Sequence, residues 1–361
     1  MPLTATRSDA RAPNDAMTEP PARPDWRQQL ANAIQDPVTL LRRLSLSEDL
    51  LPGARAGEPL FALRVPEAFA ARMRPGDPDD PLLRQVLPLA AERQDPPGYT
   101  ADPLAEVDRG GTPGLIEKYH ARSLLVTTGA CAINCRYCFR RHFPYHRERG
   151  DGGRWDAALA RIAADVETTE VILSGGDPLV LDDERLGALC RRIAAIGHVS
   201  RLRIHTRLPV VIPDRVDDRL TAWLRETRLQ TVVVLHCNHP AEVDDAVRSA
   251  SSRLREAGVT LLNQAVLLAG VNDDPDTLCA LSERLFSAGV LPYYLHLLDP
   301  VSGAAHFDVP EQRARRLLEK VAARLPGYLV PRLAREEPGR PNKTVLAPDS
   351  HVDADFVQNA R

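Results

Sequence analysis

Ser123-Leu-Leu-Val-Thr-Thr-Gly-Ala-Cys131-Ala-Ile-Asn-Cys135-Arg-Tyr-Cys138 joins a strand-length apolar run to three cysteines within eight positions. The run Leu124 to Thr128 is apolar or β-branched on successive residues, the mark of a strand covered on both faces. Downstream the same kind of run recurs at Glu170 to Ser174, Leu202 to Thr206, Thr231 to His236, Val259 to Leu268 and Pro292 to Leu298. Helical patterns lie between them, near 154–168, 183–196, 216–226, 240–256, 276–288 and 310–324. Six β-then-α units argue for an α/β fold with a parallel sheet under helices. Six is short of the eight of a complete barrel, so a partial barrel and a doubly wound sheet both satisfy the pattern. In either, ligands meet the chain at the carboxyl ends of the strands, and the cysteines directly follow the first.

Upstream, Trp26 to about Leu46 reads as two short helices broken at Asp36-Pro37. Residues 75–114 are crowded with Pro, Gly and Asp and read as an extended connector. Residues 1–24 lack apolar periodicity and read as a disordered leader. The expected organisation is thus a leader at 1–24, a helical and connector region at 25–114, the sheet unit at 115–346 and a tail at 347–361. With 43% hydrophobic and 26% charged residues among 361, the chain is globular. A net charge of -3 gives no basic field for nucleic acid or an anionic membrane. No apolar run reaches spanning length and no secretory signal opens the chain, so a cytoplasmic location is expected.

Cys131, Cys135 and Cys138 have C-x3-C-x2-C spacing. Three such thiolates can hold three irons of a 4Fe-4S cube and leave the fourth iron open for reaction. A structural zinc site wants a fourth ligand, which His142 could supply, so a zinc-stabilised binding protein without catalysis is the competing reading. Cys190, Cys237 and Cys279 sit singly in apolar stretches and read as core residues. Only three lysines occur, Lys118, Lys320 and Lys343. Chemistry that needs a deprotonated amine has just these candidates. Lys320 lies on an arginine-rich helical face, Lys343 in a Pro/Gly loop.

The stretch Cys131 to Tyr145 resembles the radical S-adenosylmethionine (radical SAM) superfamily, and within it the lysine 2,3-aminomutase family. The likeness is strongest to the short branch that makes β-lysine for elongation factor P (EF-P). It extends over about residues 26–346 and includes Asp80-Pro-Leu-Leu-Arg-Gln-Val-Leu-Pro88 and Tyr328-Leu-Val-Pro-Arg-Leu-Ala-Arg335. The resemblance implies a partial (β/α)6 barrel with an N-terminal helical extension. It also implies an isomerase that turns L-α-lysine into (R)-β-lysine with a 4Fe-4S cluster, S-adenosylmethionine and pyridoxal 5'-phosphate. A reductant such as flavodoxin or ferredoxin and a functional link to EF-P and its lysine ligase follow from it. An aminomutase acting on free lysine or another amino acid for metabolism remains an alternative.

Residue by residue, the resemblance assigns the cluster to Cys131, Cys135 and Cys138. Ser174, Gly175, Gly176 and Asp177 become the loop that receives the S-adenosylmethionine amino group, with His236, rather than His239, beside that cofactor. Glycines at a strand end let a ligand approach the backbone closely. Lys343 corresponds to the pyridoxal lysine. Lys118, Tyr119 and Arg122 correspond to the phosphate site, for which their cationic groups are suited. Asn263 and Gln264 match residues on the pyridoxal ring, and amides within an apolar run need partners. Arg140 matches the arginine that binds the lysine carboxylate, and Asp299 and Glu336 the acidic pair that holds the ε-ammonium. Clostridial members have aspartate where this chain has Glu336. The metabolic enzymes also continue past the pyridoxal lysine with a further cysteine-bearing segment, whereas no cysteine follows Cys279 here, which points to the EF-P branch.

Overall fold

Among the described residues nine strands form one sheet whose spatial order repeats their order in the chain: β1 (Leu115–Tyr119), β2 (Arg122–Thr128), β3 (Glu170–Gly175), β4 (Arg201–Thr206), β5 (Gln230–Leu235), β6 (Thr260–Val266), β7 (Leu291–His296), β8 (Arg332–Arg335) and β9 (Thr344–Val345). This computed structural model describes residues 25–107, 111–145 and 154–348. The leader read at 1–24 and most of the tail read at 347–361 lie outside the described residues. Strands β2 to β8 are parallel, while β1 and β9 flank them antiparallel. Each step from β2 to β8 is to the adjacent strand and carries a helix: Arg154–Ala164, Asp183–Ala194, Asp218–Glu226, Asp245–Glu256, Pro275–Ser287 and Glu311–Ala322. A doubly wound sheet reverses its strand order at a switch point. This sheet never reverses, and β1 and β9 do not pair, so it is an open, partial barrel.

Burial explains why the six central runs were legible. Strand β3 is buried along its whole length, and each large aliphatic there contributes roughly 1.5–3 kcal/mol. The helices that follow β3, β4, β5 and β6 open on Asp182, Asp217, Asp244 and Asp274, whose side chains accept first-turn N–H groups. Each cap is worth about 1 kcal/mol. By contrast β1, β8 and β9 carry no continuous apolar run: β1 and β9 are the two edges of the sheet, and β8 beside β9 is only four residues long. Strand β8 adds a seventh parallel strand to the six units expected.

In the N-terminal region the helices Trp26–Ala31 and Pro37–Arg43 are separated at Asp36, which caps the second by accepting from Thr39 N at 2.9 Å. Residues 75–114 are less extended than their composition suggests. They hold a helix at Pro81–Arg84, capped by buried Asp80, and a 3-10 turn at Ala90–Arg93. Both elements press on the loop that follows β2. Among the described residues no helix is long and apolar enough to cross a membrane.

Candidate active site

The loop 129–145 leaves β2 at the carboxyl edge of the sheet and carries Cys131, Cys135 and Cys138 as free, partly exposed thiols. The N-terminal region holds its backbone. Asn134 N donates to Arg64 O at 3.0 Å, Arg136 N donates to Gln85 O at 2.9 Å, and Asn134 Nδ2 donates to Ala62 O at 2.9 Å. Buried Glu92 accepts from Arg136 Nε at 2.8 Å and from Arg141 Nη2 at 2.7 Å. Burial, then neighbouring Cys135, pushes the Cys138 thiol up to about 11, and burial with Cys138 raises Cys131 well above the usual range. Cys131 and Cys138, whose burial disfavours the thiolate, suit a site where iron supplies the positive charge. The donor set fits a cube better than zinc. His142 Nε2 is engaged with Ser302 O at 3.1 Å. Among the described residues, no three His, Cys, Asp or Glu side chains converge on one ion, as tetrahedral zinc requires.

The glycines after Ser174 serve the chain's own backbone first. A Cβ on Gly175, whose φ is +118°, would stand 2.5 Å from Thr128 O, and one on Gly176 would overlap the Ala130 backbone. Only glycine lets the end of β3 press on the start of the cysteine loop. Tyr145 Oη donates to Gly175 O at 2.7 Å and ties the far end of the loop to the same point. Asp177 accepts from Thr206 Oγ1 at 2.6 Å, Arg207 N at 2.8 Å, Leu208 N at 2.9 Å and Leu179 N at 3.0 Å. Its carboxylate therefore joins the ends of β3 and β4.

Between the two edges of the sheet runs a line of alternating charge. Lys343, just before β9, pairs with Glu336, just after β8; Glu336 Oε1 accepts from Lys118 Nζ of β1 at 2.7 Å. Lys118 Nζ also reaches Glu106 Oε1 at 2.6 Å, and Glu106 takes Arg140 Nε at 2.7 Å and Nη2 at 3.0 Å. Arg140 Nη1 finally donates to Ser174 Oγ at 3.1 Å. Side chains thus bridge the gap that the open sheet leaves between β1 and β8–β9. Glu336 would be raised by burial, but Lys343 and Lys118 outweigh it and hold the carboxyl well below its usual range. Tyr119 is raised by burial and by Glu336, and Arg122 stacks 5.2 Å from its ring centroid. Asp299, three residues past β7, has no ion-pair partner among the described residues. Burial, reinforced by the Glu336 carboxylate, pushes it up to about 7.

Sequence reasoning did not find Glu106. It sits in the connector, where no periodicity or motif marks it, yet it is 8% exposed and organises both cations. Burial would raise it, but Arg140 and then Lys118 prevail and bring it down to about 2. Glu106→Gln leaves the buried Arg140 guanidinium without its carboxylate and Lys118 with Glu336 alone, and is expected to cost about 3 kcal/mol, read by denaturant unfolding at neutral pH. The folded value lies below the ordinary 4.5, so this stabilisation is present above pH 4.5 and lost as pH falls toward 2. The stabilities of the two proteins should converge over that interval.

The inner face of the sheet adds imidazoles and amides. Gln264 Nε2 lies 3.0 Å from His236 Nε2 and 3.4 Å from His205 Nδ1. Burial brings His236 and His296 down to about 3 and takes His205 well below its ordinary value, so all three stay neutral at pH 7. Asn263, the adjacent strand residue, points the other way. Its Oδ1 accepts from Cys237 N and its Nδ2 donates to Cys237 O, each at 3.0 Å, so its amide is engaged away from the charged line. His239 Nδ1 accepts from Ala241 N at 3.1 Å in a local turn. Lys320 is exposed on its helix, and Cys190, Cys237 and Cys279 are buried.

A family model described as the radical SAM superfamily matches residues 125–280. The chain is 51% identical to an L-lysine 2,3-aminomutase of Escherichia coli (strain K12), over 90% of this chain and 95% of the relative. To that of Haemophilus influenzae it is 49% identical, over 90% and 96%. For the L-lysine 2,3-aminomutase of Clostridium subterminale the identity is 32%, over 90% of this chain and 78% of the relative. Among solved structures, a radical SAM methyltransferase from Sphaerobacter thermophilus covers 61% of this chain and 68% of its own at 18% identity, with a TM-score of 0.43.

Proposed function

This chain belongs to the L-lysine 2,3-aminomutase family of radical SAM isomerases, and from that premise we propose that it converts L-α-lysine into (R)-β-lysine, moving the amino group from C2 to C3. The proposed site consists of Cys131, Cys135 and Cys138 for a 4Fe-4S cluster, with Ser174, Gly175, Gly176 and His236 beside S-adenosylmethionine. Lys343, Lys118, Tyr119, Arg122 and Gln264 would hold pyridoxal 5'-phosphate. When bound, these cofactors supply a carbon-centred radical able to take hydrogen from an unactivated carbon and a π-system across which nitrogen can migrate. The protein contributes binding, alignment and exclusion of water.

The observation that carries this reading is the line of charge from Arg140 to Lys343. Lysine has a carboxylate at one end and an ammonium at the other. Arg140 offers its guanidinium charge for the first: Glu106 holds its Nε and Nη2 edge, and the N–H groups left at the end of the guanidinium can meet a carboxylate. Asp299 and Glu336 stand at the opposite end for the second. Glu106 holds Arg140 and Lys118 on one carboxylate, so the cations for the substrate carboxylate and the cofactor phosphate are placed before either arrives. Neutral His236 and Gln264 add hydrogen bonds without charge.

The assay is anaerobic incubation of cluster-reconstituted protein with pyridoxal 5'-phosphate, S-adenosylmethionine, dithionite and L-lysine, with chiral analysis for β-lysine. Formation of 5'-deoxyadenosine without β-lysine would retain the radical machinery and remove the substrate; neither product, with a verified cluster, would remove the activity. Asp299 supplies a pH test. An ammonium partner needs its ionised form, so the KM for lysine should rise up to about tenfold per unit as pH falls below 7. Asp299→Asn should raise KM at pH 8 and flatten that dependence.

The product is further proposed to serve β-lysylation of EF-P in the cytoplasm, with flavodoxin or ferredoxin as electron donor. The branch resemblance of Cys131 to Tyr145 and Tyr328 to Arg335 supports this. Transfer of the enzymatic product to purified EF-P by its lysine ligase tests it.

A further inference from the structure

One of the three cysteines has a cation on its sulfur. Arg207, at the end of β4, donates from Nη1 to Cys135 Sγ at 2.8 Å. Its Nη2 donates to Glu242 Oε2 at 2.8 Å and to Gln85 Oε1 at 2.7 Å. Among the described residues, no lysine or arginine side chain bonds the sulfur of Cys131 or Cys138. The arrangement is built and dry: Arg207 is 5% exposed and Glu242 fully buried. Glu242 Oε1 is fastened by Gln85 Nε2 at 3.1 Å, Asn238 N at 3.0 Å and His239 N at 3.1 Å. Asp177 holds the backbone from which the arginine departs. The guanidinium is stacked near the rings of Phe69 and Tyr137, at 5.2 Å and 5.7 Å. None of these groups can swing away without breaking several buried bonds.

We propose that Arg207 is a positioning residue that sets the reduction potential of the cluster through a charged N–H···S hydrogen bond to Cys135, with Glu242 and Gln85 holding it from behind. The proposal rests on the reading of the three cysteines as cluster ligands. One-electron reduction by an external donor adds negative charge that spreads onto the ligand sulfurs. A donor N–H and a positive charge on one sulfur stabilise the reduced state and raise its potential. Glu242 offsets part of that charge. Gln85 also makes the N-terminal region part of the cluster's surroundings, so its docking and the redox chemistry are connected through one side chain.

The test uses full-length, anaerobically reconstituted protein without S-adenosylmethionine, compared as wild type, Arg207→Lys, Arg207→Gln and Glu242→Gln. Iron and sulfide are counted, and the reduced cluster is followed by EPR during a mediated redox titration. At the potential where wild type is half reduced, Arg207→Gln should show an about tenfold lower ratio of reduced to oxidised cluster, a shift of about 59 mV for one electron. Arg207→Lys keeps charge without the fork and should fall less. Glu242→Gln leaves the guanidinium charge undivided and should shift the ratio upward. Unchanged ratios in Arg207→Gln at full iron content would overturn the proposal. If that variant holds no iron, absence of the upward shift in Glu242→Gln does so. A wild-type protein that yields no 4Fe-4S signal would instead remove the cluster reading on which the proposal rests.

Discussion

Lys343→Ala should abolish the absorbance of lysine-bound pyridoxal phosphate and lower β-lysine formation by at least about 10³-fold, roughly 4 kcal/mol of transition-state stabilisation. Two observations single out this amine. Lys320, the one lysine on a helix, is exposed, and Lys118 lies between two carboxylates, Glu106 and Glu336. Among the described residues Lys343 forms an ion pair with Glu336 alone and faces the Tyr294 ring, 5.9 Å from its centroid. Its loss should leave the fold nearly intact, because Lys118 still neutralises Glu336 at 2.7 Å. Near-native unfolding combined with loss of cofactor absorbance is therefore the expected pair of results. Persistent absorbance in Lys343→Ala would move the assignment to Lys118.

Cys135→Ala should reduce bound iron to background and eliminate 5'-deoxyadenosine formation. A cube held by three protein thiolates has no spare ligand, and the remaining cysteines cannot substitute. Cys190 is buried within its helix, where burial takes the thiol up to about 12, and Cys237 is fully buried with its backbone bonded to Asn263. Cys190→Ala is the matching control and should retain full iron. Iron retained in Cys135→Ala would overturn the ligand assignment. The substitution also leaves Arg207 with an empty position where Cys135 Sγ stood at 2.8 Å, so a modest fall in stability should accompany the loss of iron.

The parts of the site that were legible are those whose chemistry is local. Three cysteines in eight residues signal a cluster because the spacing itself brings the thiols together. Lysine scarcity narrowed the amine to three positions. Glu106 had no such signal: its partners Lys118 and Arg140 are 12 and 34 residues away, and the connector around it follows no period. Asn263 and Asp177 show a second role that local sequence does not record. Each lies within a motif-bearing stretch, yet strand alternation and a strand-end cap turn them into the fold. At Gly175-Gly176, where the sequence suggests the close approach of a ligand, the structure brings the chain's own backbone at 128–130 against the glycines.

By itself the sequence determined the six βα units, the location of the cysteine loop after the first parallel strand, and the break at Asp36. These follow from periodicity, capping and turn chemistry within a few residues. Only the tertiary structure decided that the sheet stays open, since edge strands as short as Thr344–Val345 leave no apolar pattern. It also decided that Lys118 and Lys343, 225 positions apart in the chain, share the Glu336 carboxylate across the gap. Sheet curvature sums small twists over nine strands, and no local stretch of sequence records that sum.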